Sequence, residues 1–345
     1  MTIIRSRAPL RLGLAGGGSD VSPYCDIYGG AVLNATIDLS AYCSLAEVEN
    51  GDVTFIAADR GVVFREAAVP RFPYDGVLDL HKGVYNRVVR DFNDGRPLPV
   101  KVTTFSDAPP GSGLGSSSTM VVAILTAFAE YLRLPLGEYD IARISFEVER
   151  QDIGLRGGAQ DQYAATFGGV NFLEFYEENR VIVNPLRVKT WILNELEMST
   201  VLYFTGVSRE SDRIISEQIK NYRAKDEGTL EAVHRLKIDA SRMKEALLRG
   251  EIRQVADILG RSWESKRQLA HNIGNEVIAA ALARAIAAGA HAGKVSGAGG
   301  GGFMMLMVDP ASRVPLIQAL GDLPGEVVNF HFVSEGAHAW RAPTT

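Results

Sequence analysis

Pro109–Ser118 reads PPGSGLGSSS, with three glycines and four serines in ten residues. It lies between a strand-like run, Lys101–Phe105, and an apolar helical pattern over about 117–132. Glycine lets backbone approach a ligand closely and adopt positive φ, so such a loop can turn several N–H groups onto one anion. The following helix adds the positive end of its dipole, which makes a phosphate the natural ligand. The loop is not a Walker A motif, because no Gly-Lys-Ser/Thr ending follows. Nor is it GxGxxG, since Gly111-Ser112-Gly113-Leu114-Gly115 has the wrong final spacing. A flexible serine–glycine connector is the competing reading, and the strand before and helix after the loop argue against it.

Working outward, three more glycine-rich turns appear: Ala15-Gly-Gly-Gly-Ser-Asp20, Gly154–Gly169, and Ser296-Gly-Ala-Gly-Gly-Gly-Gly-Phe303. Ordering a glycine costs up to about 1 kcal/mol relative to alanine. Long runs beside core strands therefore point to close approach to a ligand or to another loop. Period-2 patterns place short strands at 31–37, 41–48, 53–58, 62–67, 170–175 and 180–186. Helical spacing of Val77, Leu80, Val84, Val88 and Phe92 predicts a helix over 77–93, and another is expected at 138–150. The second half opens on a strand at 200–205. Helices follow at about 209–223, 229–249, 251–269 and 275–288, then strands at 293–296, 303–308 and 326–333 with a helix near 311–321. Strands and helices with short antiparallel returns predict an α+β fold, with a boundary near 187–198.

The bulk properties bound the function. The chain has 345 residues, 46% apolar and 22% charged, which suits one large or two medium soluble domains. Its 41 acids and 36 bases leave a net charge of −5, against a dedicated nucleic-acid binder. No apolar run reaches the ~18 residues of a membrane helix, and the opening MTIIRSRAPLRLG does not read as a signal peptide. A cytoplasmic protein is expected. Cys25 and Cys43 read as reduced core thiols. The six histidines show no metal-ligand spacing, and neither HExxH nor GxSxG occurs.

Four polar residues stand out. Asp161, in GGAQDQ, could meet a substrate hydroxyl as a proton acceptor or simply cap a helix. Glu149 lies twelve residues earlier and is either a solvated face residue or, with a hydroxyl such as Ser117 and phosphates, a magnesium ligand. Arg11 is a cation within a strand. Asp20 could hydrogen-bond a sugar hydroxyl or cap a helix.

Together these stretches resemble the GHMP small-molecule kinases. Three family motifs appear in order: Arg7–Asp20 (RAPLRLGLAGGGSD), Pro109–Ser118, and Lys294–Phe303 (KVSGAGGGGF). The resemblance implies two domains: an α/β domain over 1–190 with left-over antiparallel strands, and a ferredoxin-like α+β domain over 191–345. It places ATP phosphates on Pro110, Gly111, Ser112, Gly113, Leu114, Gly115, Ser116, Ser117 and Ser118, and Mg2+ on Ser117 and Glu149. Asp161 matches the catalytic aspartate and Arg11 the arginine facing it. Gly17, Gly18, Ser19 and Asp20, with Gly297, Gly299 and Gly300, match acceptor-binding positions. GGGSDV stands where galactokinases usually carry a form like GEHTDY, and the first motif looks like that of the heptose kinases. The implied reaction is ATP-dependent phosphorylation of the anomeric hydroxyl of D-glycero-D-manno-heptose 7-phosphate to the 1,7-bisphosphate, toward GDP-heptose and capsule or surface polysaccharide. The implied partners are small-molecule substrates, without nucleic acid or membrane, and the chain could form a homodimer. Arg156, Lys82, Arg209 and Arg213 are candidates for the distal phosphate. The rival readings are a fucose or other sugar 1-kinase, a non-catalytic sugar and ATP sensor, and a dinucleotide-binding oxidoreductase.

Overall fold

The computed structural model describes residues 3–206, 211–271 and 273–343. The first half runs β1 (Ile3–Ala15), α1 (Tyr24–Tyr28), β2 (Gly30–Glu47), β3 (Asp52–Ala57), β4 (Val62–Ala67), α2 (Asp79–Phe92), β5 (Val100–Ser106), α3 (Ser116–Leu132), α4 (Glu138–Glu147), α5 (Gln160–Phe167), β6 (Val170–Phe175) and β7 (Val181–Pro185). The second runs α6 (Thr190–Met198), β8 (Thr200–Phe204), α7 (Ser211–Arg223), α8 (Glu227–Arg249), α9 (Ile252–Arg267), α10 (Glu276–Ala287), β9 (Ala290–Val295), β10 (Phe303–Val308), α11 (Arg313–Leu320), β11 (Glu326–Val328) and β12 (His338–Arg341).

The first sheet is ordered β12-β1-β2-β5-β3-β4, with β6 on β2 and β7 on β6. All pairings are antiparallel except β3 with β5. The two strands predicted at 31–37 and 41–48 are one, the 18-residue β2. Its first part pairs with β6 and its last part with β5. A register shift between Pro9 and Arg11 of β1 lets β1 follow the long strand past the predicted gap. Helix α3 is central to this half. Its run Met120–Phe128 is apolar apart from Thr126. Val121, Ile124 and Phe128 pack with Val84 and Val88 of α2 and with Leu45, Phe55 and Val102 of the sheet. Each such burial contributes about 1.5–3 kcal/mol, which anchors the N-terminus of α3 beneath the glycine loop.

The second sheet, β11-β8-β10-β9, is antiparallel throughout. Helices connect β8 to β9 and β10 to β11, while β9 and β10 form a direct antiparallel pair, so the half is a ferredoxin-like β-α-β-β-α-β unit. The break near 190 separates the two sheets, yet the chain does not end in the second one. Phe332 bridges to Ile37, and β12 adds an edge to β1, from Ile4↔Arg341 to Arg7↔His338. The strand predicted over 326–333 stops at Val328 for this reason. A four-residue edge strand such as β12 is too short to give a period-2 signal.

Candidate active site

The glycine loops meet. Phe303 N donates to Ser112 O at 2.8 Å, Arg11 N to Leu114 O at 3.2 Å and Ser296 N to Phe303 O at 2.9 Å. The loops of both halves are thus stitched to β1 from two sides. Gly113 has φ of +80°, and a Cβ there would lie 2.4 Å from Ser296 O. Gly115, also at +80°, N-caps α3, and its Cβ would sit 3.0 Å from Asp161 Cγ. Both positions exclude a side chain for conformational and steric reasons together. The first N–H groups of α3 have no intrahelical partner, and they open onto a cleft between the two halves of the chain. Ser116, Ser117, Ser118, Gly111, Gly113 and Gly115 line it. Ser112 and Leu114 are buried instead, with Ser112 Oγ 2.7 Å from Ser116 Oγ, so their side chains support the loop. Pro110 lies on the exposed outer turn.

Arg11 and Asp161, 150 residues apart, meet in the lining of this cleft. Arg11 Nε donates to Asp161 Oδ1 at 2.7 Å, and Nη2 lies 2.6 Å from the same oxygen. Nη1 donates to Gly113 O at 2.7 Å and to Ser296 Oγ at 3.1 Å. Arg11 is only 3% exposed, whereas the Asp161 side chain keeps 20% of its surface open. The guanidinium is therefore almost wholly spent on holding one carboxylate and two loops, and the carboxylate faces the cleft.

Helix α4 was expected to continue to residue 150. It gives way to a π-turn at Val148–Asp152, closed by Ile153 N donating to Val148 O at 3.0 Å. Such turns recur at functional sites because they re-aim one side chain. Here Glu149, 1% exposed, lines the cleft and accepts from Ser117 Oγ at 2.9 Å and from Gln162 Nε2. Gln162 is itself held 3.0 Å from Ser118 Oγ. A buried carboxylate met mainly by neutral donors, with a serine hydroxyl alongside, fits a magnesium ion that keeps waters and takes phosphate oxygens. Among the described residues no three His, Cys, Asp or Glu side chains cluster as a closed metal cage.

Asp20 and Gly18 line the cleft. Asp20 accepts from Gly18 N at 3.0 Å, Gln160 N at 3.3 Å and Gln160 Nε2 at 3.2 Å. Ser19 turns away and bonds to Gly16 O and Ala31 O. Gly17 presents its carbonyl to Lys266. In the last glycine run, Gly297 and Ala298 reach the cleft. Gly299 O accepts from Gly274 N and Gly300 O from Asn275 Nδ2, so these two tie the loop to the start of α10.

Of the cations considered for a distal phosphate, Arg156 lines the cleft. Lys82 does not: it is fully buried, 2.5 Å from Asp75 and over the Phe64 ring. Its place on the inward face of α2 makes it a structural ion pair. Arg213 is exposed on α7 and outside the cleft lining, and Arg209 lies outside the described residues.

Three polar residues of the second half were missed. Lys266 on α9 is buried against the first glycine turn, with Nζ 2.9 Å from Gly17 O. Burial pushes its pKa down to about 8, opposed by Asp20 and aided by Arg11. Lys294 on β9 donates to Gly13 O at 2.9 Å and Leu14 O at 3.0 Å, and burial, then Lys266 and Arg11, take it down to about 7. Gln218 on α7 is buried in the cleft wall. Lys266 and Gln218 look like ordinary surface residues in sequence, and Lys294 opened the third motif without a role of its own; the docking of the second half onto the first glycine turn and β1 buries them.

Family models match in both halves: the GHMP kinases N terminal domain over residues 79–169 and the GHMP kinases C terminal model over 243–322. A D-glycero-alpha-D-manno-heptose 7-phosphate kinase of Campylobacter jejuni is 51% identical over 341 residues, 99% of this chain and 100% of that protein. The crystal structure of a D-glycero-D-manno-heptose 1-phosphate kinase from Bacteriodes thetaiotaomicron superposes with a TM-score of 0.84 at 47% identity, covering 99% of this chain and 100% of that one. A bifunctional fucokinase/GDP-fucose pyrophosphorylase of Arabidopsis thaliana is 27% identical over 88% of this chain and 30% of its own length. With the two glycine loops, the Arg11–Asp161 pair and the two-sheet fold in place, this chain belongs to the GHMP kinase family.

Proposed function

We propose that the protein is an ATP-dependent sugar 1-kinase that phosphorylates the anomeric hydroxyl of D-glycero-D-manno-heptose 7-phosphate, giving the 1,7-bisphosphate. The observation that carries this is the Asp161 carboxylate, fixed by Arg11 against the phosphate loop. Full-length identity of 51% to a heptose 7-phosphate kinase, against 27% to a fucokinase, favours the heptose phosphate over fucose. The product would feed GDP-heptose and surface polysaccharide, and the work would be done in the cytoplasm, where ATP is made.

In this reading the loop N–H groups and the first turn of α3 hold the ATP phosphates. Asp161 orients the C1 hydroxyl and accepts its proton as the γ-phosphoryl arrives. Arg11 holds Asp161 in place, and its guanidinium puts a positive charge beside the reacting oxygen. Asp20 and Gly18 would meet acceptor hydroxyls, with Gly297 closing the far side. Ser117 and Glu149 would hold Mg2+, which when bound neutralises charge on the phosphates. An anomeric hydroxyl is more acidic than an ordinary alcohol, so a carboxylate suffices as its base.

The test is an ADP-release assay over a sugar panel, with and without terminal phosphate. Turnover confined to heptose 7-phosphate, with the new phosphate on C1, is expected. Preferential turnover of fucose or another unphosphorylated sugar overturns the substrate, and ATP binding without turnover of any sugar overturns the kinase reading in favour of a sensor.

A further inference from the structure

Helices α7 and α9 of the second half contribute part of the cleft wall, through Ile215, Gln218 and Lys266. Gln218 on α7 is 1% exposed, lines the cleft, and its Nε2 amide has no hydrogen-bond partner among the described residues. A buried amide N–H left unmade costs about 1–3 kcal/mol, so a native protein retains one only where something else satisfies it. Lys266, at the end of α9, is 4% exposed and lines the same cleft. Its ammonium spends one proton on Gly17 O. A Cβ on Gly18 would come within 3.2 Å of that nitrogen, so the head group sits over the first glycine turn beside the acceptor-facing backbone. Tyr222, one turn beyond Gln218, donates to Gly18 O at 3.3 Å and braces α7 on that turn.

We propose that Gln218 Nε2 and Lys266 Nζ form a donor pair that grips oxygens of the acceptor sugar, and that this pair, contributed by α7 and α9, determines which sugar is accepted. The proposal rests on the kinase reading and deepens it by naming acceptor-specificity residues. Three features support an acceptor over a nucleotide ligand. Both groups are hydrogen-bond donors, suited to hydroxyl and phosphate oxygens. Both lie on the wall formed with Gly18 and Asp20, whereas the N–H groups suited to ATP phosphates come from the loop before α3. Asp20 also supplies the neighbouring acceptor, giving the mixed donor and acceptor lining a polyol needs. Sites that hydrogen-bond a substrate hydroxyl discriminate strongly because their buried polar groups stay unpaired with the wrong substrate.

Gln218→Leu keeps the volume and removes the amide, and Gln218→Glu keeps the shape but replaces the donor. Kinetics for acceptor and ATP are measured separately on both variants and on Lys266→Met, using whichever panel sugar the wild type turns over best, with thermal unfolding as a folding control. Gln218→Leu is expected to raise the acceptor KM about tenfold, as the loss of one buried hydrogen bond implies, with the ATP KM and kcat within about twofold. Lys266→Met is expected to act on the acceptor KM in the same direction, and the panel order is expected to flatten in both. An unchanged acceptor KM, or ATP and acceptor KM rising together, overturns the pair. A wild type active on a sugar other than the heptose phosphate defeats the substrate reading while leaving the pair open to the same measurements. If the wild type turns over no sugar, binding is read by thermal shift with each panel sugar, and a stabilisation that Gln218→Leu leaves intact, or none at all, overturns the pair.

Discussion

Asp161→Asn separates the chemistry from the scaffold most cleanly. Asparagine keeps the shape and one acceptor oxygen, so Arg11 retains a partner at Oδ1 besides Gly113 O and Ser296 Oγ. Breaking a buried ion pair outright costs about 3–5 kcal/mol. Here the Asp161 side chain is 20% exposed and the Arg11 donors stay occupied, so the loss reduces to a charge-assisted hydrogen bond becoming a neutral one, about 1–2 kcal/mol. That corresponds to a fall of a few degrees in Tm, and the variant remains folded. The catalytic loss is larger. Removing a positioned general base costs 10²–10⁴ in rate, and the acidity of an anomeric hydroxyl puts this case at about 10²–10³, or ~3–4 kcal/mol of barrier. ATP affinity, set by the loop and α3, stays within about twofold. The assay is ADP release at saturating acceptor, with ATP binding followed by calorimetry. A folded variant whose kcat lies within threefold of wild type refutes the role of Asp161. A parallel loss of ATP binding would instead assign Asp161 to the nucleotide.

Glu149→Gln, which keeps the bond to Ser117, should raise the Mg2+ concentration for half-maximal rate at least tenfold and leave the acceptor KM unchanged; an unaltered Mg2+ titration would remove Glu149 from the metal. Gly113→Ala combines a left-handed φ, about 1–2 kcal/mol, with a Cβ 2.4 Å from Ser296 O; it should part the two glycine loops and lower both Tm and ATP affinity, and wild-type behaviour would contradict the stitched geometry. Lys294 carries a pH signature. Its folded pKa, down to about 7, lies below the 10.5 of the unfolded chain, so the unfolded state holds more protons in between and unfolding free energy rises with pH through that window. The Tm of wild type relative to Lys294→Met should therefore climb from pH 7 to 9, with a slope of at most ~1.4 kcal/mol per pH unit; a flat or falling difference would mean that Lys294 stays charged when buried.

Much of this protein was open to reading from its chain. The loop Pro109–Ser118 and the helix after it are local: glycine supplies the backbone conformations and the apolar run supplies the helix, so their function as an anion cradle needs no distant partner. Resemblance to known motifs then singled out Arg11, Glu149 and Asp161, although sequence alone offered each an ordinary surface role. Their pairing is a tertiary fact. Arg11 reaches Asp161 only because β1 lies beside α5, and Glu149 faces Ser117 only because a π-turn interrupts α4, a change of hydrogen-bond register that leaves no compositional mark. The burial of Gln218, Lys266 and Lys294 was invisible for a different reason. Amide and ammonium side chains on amphipathic helices and strands normally face water, and burial by another domain is not encoded within their own segment. Strand β12 was missed because its partner, β1, lies at the opposite end of the chain. Local backbone chemistry thus determined the phosphate loop and the two-layer α+β plan, whereas the docking of the second half onto β1 decided which charges are buried, which are paired and which remain free to meet a substrate.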